Sequence, residues 1–275
     1  DFHLALAPTV ISQGATRCAS LAAKGLVNGA TTAEQSADAR AQLRAYGWLA
    51  DSEPLQLSHY AFATPAIAVT YSNSYARAGV ADNLCGFSLA ATNATADPAP
   101  LPAAAAAGSF ANGNGVPPTV GVNLIYNDAA NAATPGVGKR DLLAASPSTG
   151  ALDLAADGAL CQRALITGSD RVARRVQRNV EDVLLDGKLR GKPTLIVHGR
   201  ADGLIPVNHA SRAYYGAHRI AERRSAASYI EVTNAQHFDS FLSFPGYPER
   251  YLPLHVYLIR SLNAMHAHLT QGVAL

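Results

Sequence analysis

Two side chains toward the carboxyl end of this sequence are placed as a proton-transfer pair requires. Asp202 lies in "KPTLIVHGRADGLIP" (Lys192–Pro206) and His237 in "YIEVTNAQHFDSF". Each stands four residues beyond a short apolar run, Thr194–His198 for the acid and Ser228–Thr233 for the histidine. Such runs read as strands. A carboxylate beside an imidazole fixes its tautomer and stabilises the imidazolium, so the histidine can take a proton from a nucleophile and return it to a leaving group. The chemistry open to such a pair is acyl transfer, with the acid preceding the histidine in chain order as in the α/β-hydrolases. Alone, "ADG" reads equally well as a turn, and one of nine histidines carries little weight. Their matched placement favours chemistry. Asp239 competes as a partner for His237 but ranks behind Asp202, because it lies only two positions from the histidine along the loop.

A triad also needs a nucleophile, and this fold places it on a strand–turn–helix elbow, commonly G-x-S-x-G. No such motif occurs. Ser109 in "AGSFANG" follows no strand. Ser72 and Ser74 in "TYSNSY" are followed by no glycine that would permit the sharp elbow. Ser169 in "ITGSDR" reads as a helix N-cap, and Cys85 in "NLCGFS" is no stronger a candidate.

The elements that must hold the pair are legible from about Leu152 onward. Helices are expected over Leu152–Ile166 and Ser169–Leu185, then a buried strand at Thr194–His198. A helix over "VNHASRAYYGAHRIAE", the strand Ser228–Thr233 and a closing helix in "YLPLHVYLIRSLNAMHAHL" follow. Strand, helix, strand, helix is a βαβ unit of a doubly wound sheet, where ligands sit at the carboxyl ends of the strands. Residues 1–150 lack that alternation. A helix is expected at Ala33–Tyr46, capped by Thr31 or Thr32, and the apolar segment Ala61–Tyr71 extends as a helix toward Arg77. The Ala/Pro/Gly-rich stretch Ala91–Thr119 reads as irregular surface or an insertion, and Thr119–Asp128 as a short strand. The fold class expected is α/β. Residues 151–275 would be the C-terminal part of an α/β-hydrolase-like doubly wound sheet, preceded over 1–150 by a mostly helical, loop-rich cap, with the nucleophile-bearing N-terminal half absent.

Composition narrows the partners. The net charge is +2 without a block of like charges. The one basic run, Arg171–Arg178, sits on a helical pattern and reads as a solvated helix face, not a nucleic-acid footprint. No apolar run reaches the ~18 residues of a membrane helix. The opening "DFHLALAPTV" has neither an initiator Met nor the form of a signal peptide, so it reads as a processed terminus or the start of a fragment. Cys18, Cys85 and Cys161 are too widely spaced for a zinc or redox site. One disulfide with a free thiol, or three reduced thiols, fit equally.

Several segments carry a family resemblance: "QLSHYAFATPAIAVTYSNSYARAGVADNLCGFS", "NGVPPTVGVNLIYND", "LRGKPTLIVHGRADGLIPVNHASRAYY", "SYIEVTNAQHFDSF" and "PGYPERYLPLHVYLIRSLNAM". In these the chain resembles the C-terminal part of the bacterial D-(-)-3-hydroxybutyrate-oligomer hydrolases. The resemblance implies esterase chemistry on short 3-hydroxybutyrate oligomers released from polyhydroxybutyrate. It also implies a serine nucleophile in an "SNGG"-type turn upstream. No "SNGG" occurs here, so that role passes to no residue of this sequence. The substrate would be a small ester, with one terminal carboxylate for which Arg77, Arg200 and Arg212 are the candidate partners, and no cofactor or metal is called for. A partner is implied in the missing N-terminal portion, covalent or associated. The compartment expected is extracellular or periplasmic, with the cytoplasm as the other option. Two other readings compete: an inactive module of the same fold that binds oligomers or partners, and a hydrolase acting on another ester.

Overall fold

The structure, a computed structural model, describes residues 2–60, 63–64, 69–110, 122–129, 137–224 and 227–275. In chain order the elements are α1 (Phe2–Ala23), α2 (Thr32–Ala45), the single turn α3 (Gln56–Ser58) and α4 (Thr70–Ala76). Then follow β1 (Phe87–Thr92), β2 (Pro98–Ala99), α5 (Ala103–Phe110), β3 (Asn123–Tyr126) and β4 (Lys139–Arg140). The last are α6 (Ala156–Thr167), α7 (Arg171–Glu181), β5 (Thr194–Gly199), α8 (Ser211–Ala221), β6 (Ala227–Val232) and α9 (His255–Gln271). The chain divides into two compact units. One joins Asp1–Ala5 and Gln42–His59 to Leu184–Leu275, and the other comprises Leu6–Ala41 and Tyr60–Val183.

The unit containing the carboxyl terminus is built on a parallel pair. β5 and β6 run in register from Thr194↔Ala227 to Gly199↔Val232, with α8 as the connection that a parallel pair requires. Both strands and α8 fall within a residue or a few of their expected positions. The segment 42–59 was not anticipated here. Asn208 Nδ2 donates to Gly47 O at 2.7 Å, His59 Nδ1 lies 2.9 Å from Leu204 O, and Arg200 pairs with Asp51 at 2.9 Å. These contacts hold the segment against the loop that follows β5.

The other unit carries an antiparallel sheet of order β2-β1-β3-β4. Phe87 opposes Tyr126 and Leu89 opposes Leu124, and these residues meet Val69, Ala144 and Ala155 in one apolar cluster. This corrects the expectation that the amino-terminal half is a cap with no sheet of its own. β3 was expected, but β1 was not: "FSLAAT" is short and made largely of small residues that favour neither pattern. The start of the Ala/Pro/Gly-rich stretch is in fact a hairpin, in which Asn93 Oδ1 accepts from the backbone N–H groups of Thr95 and Asp97. Part of that stretch, and residues 61–62 and 65–68 of the helix expected from Ala61, lie outside the described residues, while α4 forms the end of that helix toward Arg77. α1 was not anticipated, since Pro8 and Gly14 interrupt its pattern.

α6 and α7 belong with this sheet-bearing unit, so the compact units part at Val183–Leu184, not at the boundary expected near residue 150. α6 starts later than Leu152 because the chain first makes a polar turn. Buried Asp153 accepts from Ser146 Oγ at 2.5 Å, Ser20 Oγ at 2.7 Å and Ala156 N at 3.1 Å, while Leu154 and Ala155 take left-handed backbone. On α7 the basic run behaves as its pattern suggests: Ala173 and Val176 are buried, and Arg175 Nη1 donates to Ala76 O at 2.9 Å. Its cap is Asp170, not Ser169, since the Asp170 carboxylate accepts from Val172 N and Ala173 N. Thr31 caps α2, with Glu34 reaching back to Thr31 N in a capping box.

Cys85 and Cys161 form a disulfide and Cys18 is free, which settles the choice the sequence left open. No described helix is long and apolar enough to cross a membrane.

Candidate active site

Asp202 and His237 are brought together where β5 and β6 end. The two loops are tied by backbone: Arg200 N donates to Val232 O and Ala201 N to Ala235 O, each at 2.9 Å. Gly199 sits where they press closest. A Cβ on it would stand 2.5 Å from Ala235 O and 3.1 Å from Gln236 N. Its role is therefore this close approach of backbone to backbone. A Gly199→Ala variant is expected to push the loops apart and lower the unfolding free energy by about 1–3 kcal/mol. Chemical denaturation checks this, and an unchanged midpoint would contradict it.

Within this frame the Asp202 carboxylate is buried, with 3% of the residue exposed. Its Oδ1 accepts from the backbone N–H groups of Leu204 and Ile205, each at 2.8 Å. Its Oδ2 lies 2.8 Å from His237 Nδ1 and 3.1 Å from His198 Nε2. Burial by itself would raise the carboxyl's pKa. Hydrogen bonds from His198, His237 and Ile205 outweigh it, and the value falls to about 2. Asp202 is thus an acceptor at neutral pH, so His237 donates through Nδ1–H. In the neutral ring that leaves Nε2 as the free base.

His237 is partly exposed and borders a cleft of about 420 Å³, whose other walls include Val197, Phe238, Leu254 and Leu258. Phe238 packs edge-on against the imidazole, with ring centroids 4.5 Å apart. Asp239 does not partner His237: its carboxylate accepts from Leu254 N and His255 N, both at 2.7 Å, and so holds the start of α9.

The nucleophile candidates fare as follows. Cys85 is consumed by the disulfide. Ser72 and Ser74 lie within α4, and Ser169 precedes the α7 cap. Ser109 falls on α5, and its side chain lies outside the described residues. Among the described residues, no serine or cysteine side chain bonds His237. Of the three cations considered for a substrate carboxylate, Arg212 is committed to Glu231 at 2.6 Å and Arg200 to Asp51. Arg77 closes α4 in left-handed backbone. The residue that sequence reading missed is His198. It was taken as a buried strand residue, although its position four before Asp202 at the strand's end was a usable signal.

A buried carboxylate on one nitrogen of a partly exposed histidine, both at the ends of neighbouring parallel strands, is an arrangement of the acyl-transfer hydrolases. Comparison with known proteins gives the class a family. The chain belongs to the 3HB-oligomer hydrolase (3HBOH) family, whose sequence profile matches residues 2–275. It is 52% identical over 266 residues to a D-(-)-3-hydroxybutyrate oligomer hydrolase of Polaromonas naphthalenivorans, covering 94% of this chain and 37% of the relative. It is 50% identical over 271 residues to the one of Cupriavidus necator, covering 98% and 37%. The protein of the same name from Azoarcus sp. is 49% identical over 260 residues, covering 93% and 36%. The chain thus spans little more than a third of the length of these curated relatives. No solved structure matches it significantly.

Proposed function

We propose that this chain supplies the acid and the base of a serine-esterase triad that hydrolyses short (R)-3-hydroxybutyrate oligomers during polyhydroxybutyrate degradation. The observation that carries the reading is the 2.8 Å contact between the buried Asp202 carboxylate and His237 Nδ1, in a chain related throughout to oligomer hydrolases. His237 Nε2 takes the proton of the attacking serine and gives it to the departing alcohol, while Asp202 stabilises the imidazolium between the two steps. Water then resolves the acyl-enzyme by the same route. A small uncharged ester suits the cleft beside His237, with its walls of Val197, Phe238, Leu254 and Leu258.

The serine comes from a segment outside these 275 residues. In this reading β5–α8–β6 is the C-terminal end of a doubly wound, α/β-hydrolase-like sheet, and the remaining strands pair along β5. Two observations support it. Among the described residues β5 pairs only with β6, and α9 leaves apolar residues exposed, Leu262 at 59% and Leu269 at 67%. Buried against further sheet, such residues would stabilise the fold. The Cys85–Cys161 disulfide supports an extracellular or periplasmic site of action, where such bonds persist.

The test uses the full-length natural protein and the 3-hydroxybutyrate dimer, with a serine-directed fluorophosphonate as probe. The wild type is expected to hydrolyse the dimer and take up the probe on one serine outside this segment. The His237→Ala variant is expected to do neither at a measurable rate. Labelling of a serine within residues 1–275 would overturn the assignment of the nucleophile. Undiminished hydrolysis by the variant would overturn the role of His237.

A further inference from the structure

Asp202 is held by two imidazoles, and only one belongs to the proposed triad. The second, His198, leads away through a chain of hydrogen bonds whose protons can be counted. His198 Nδ1 meets Ser211 Oγ. Ser211 Oγ lies 3.0 Å from Tyr229 OH, and Tyr229 OH lies 2.8 Å from Glu231 Oε1. Arg212 holds both oxygens of Glu231, through Nε at 2.7 Å and Nη2 at 2.6 Å, and places Nη1 2.7 Å from Asn208 Oδ1.

The count starts at Glu231. Paired with Arg212, its carboxylate can only accept, so the single Tyr229 hydroxyl proton points at it. The Tyr229 oxygen must then accept from Ser211, which spends Ser211's only proton. Ser211 Oγ can therefore only accept from His198, and Nδ1 carries a hydrogen. At the other end Asp202 is ionised and also accepts, so Nε2 carries a hydrogen as well. A ring with hydrogens on both nitrogens is an imidazolium.

We infer that His198 is a positively charged positioning residue, wedged between Asp202 and the Ser211–Tyr229–Glu231 chain, which fixes the carboxylate at the angle His237 needs. The inference rests on the triad reading for its consequence, though not for its geometry. A cation behind Asp202 draws part of the carboxylate's field away from His237, which makes the His237 imidazolium less stable. Other charged groups act on this chain through space without bonding to it, His59 on Asp202 and Arg200 on Glu231. His59 is bound to Leu204 O, Arg200 to Asp51, and Asp239 to the start of α9, where His255 lines the cleft.

The experiment has two arms, both on the full-length protein. In the first, selective ¹⁵N-histidine labelling and long-range ¹H–¹⁵N correlation read the ring nitrogens directly. His198 is expected to show two protonated nitrogens at neutral pH. In Tyr229→Phe, where Ser211 is free to turn its proton toward Nδ1, it is expected to show one. A singly protonated His198 in the wild type would overturn the inference, whether or not the protein proves to be an esterase. In the second arm, His198→Gln keeps a donor toward Asp202 and removes the charge. The acid limb of the kcat/KM profile for dimer hydrolysis is expected to move up by about half to one pH unit, with KM nearly unchanged. A variant that loses rate equally at every pH would show a merely structural role and also overturn the inference. Wild-type protein without esterase activity would sink the triad reading alone and leave the first arm decisive.

Discussion

An Asp202→Asn variant of the full-length protein is expected to hydrolyse the 3-hydroxybutyrate dimer with kcat about 10,000-fold below wild type and KM little changed. The size of the effect follows from which way the new amide must face. Two backbone N–H groups, those of Leu204 and Ile205, point at Oδ1, and only an amide oxygen satisfies them. The amide nitrogen therefore takes the place of Oδ2 and presents hydrogens to His237 Nδ1. That nitrogen must now accept, the ring proton moves to Nε2, and the base faces the nucleophile with its hydrogen instead of its lone pair. Rates and KM values by product chromatography check this. A variant within tenfold of wild type would mean the acid lies elsewhere, and Asp239 would be the next residue to test. The same substitution carries a stability signature. The folded-state pKa of Asp202, about 2, lies below the ~3.9 of an unfolded chain. Ionised Asp202 therefore stabilises the fold above pH ~4, and the contribution, about 2 kcal/mol, is lost as pH falls from about 4 to about 2. Asparagine does not titrate, so unfolding of the variant is expected to lose that part of its acid dependence.

The half of the chain that carries the candidate site was legible because its signals are local. Each strand is a run of apolar, β-branched residues bounded by turn residues, and the acid and the histidine follow the runs read from the sequence at equal distance. The two loops must meet if the strands are parallel neighbours, and they do. The amino-terminal half was not legible as a sheet, because β1 is written in Ser, Leu and Ala and is stabilised by pairing with β3 across 31 residues or more, as in Asn123–Thr92. Nor did anything local assign 42–59 to the unit of Asp202. That placement depends on single contacts from Asn208, Leu204 and Arg200 that only folding brings into reach. His198 was overlooked for a different reason: its side chain leaves a strand that otherwise reads as buried and apolar, and its meaning appears only once the hydroxyls of Ser211 and Tyr229 are beside it.

Removing the Cys85–Cys161 disulfide by replacing both cysteines with Ser is expected to lower the unfolding free energy of the sheet-bearing unit by about 4 kcal/mol. The bond closes a loop of 76 residues, and the chain-entropy cost of leaving such a loop open in the unfolded state is of that order. The loop contains all of β1–β4, so the constraint acts on the pairing that the sequence specifies least: a four-residue β3 and two-residue β2 and β4. Cys85 also joins two apolar clusters, packing against Phe87 and Tyr126 on one side and Ala76, Leu165 and Val176 on the other. It does so from a turn in which Asn83 and Cys85 both take positive φ, 45° and 55°, a conformation costing a non-glycine residue roughly 1–2 kcal/mol. Without its tether that turn is free to relax, which offsets part of the loss. Denaturant unfolding of wild type with and without reductant, beside the double variant, checks the figure. The reduced wild type and the variant should share one lowered midpoint, and peptide mapping should find Cys18 alone alkylated before reduction. A midpoint indifferent to reductant would show that the clusters hold the sheet by themselves. It would also remove the support that the disulfide lends to an oxidising compartment, since a bond that contributes nothing to folding gives no reason to keep the protein where such bonds survive.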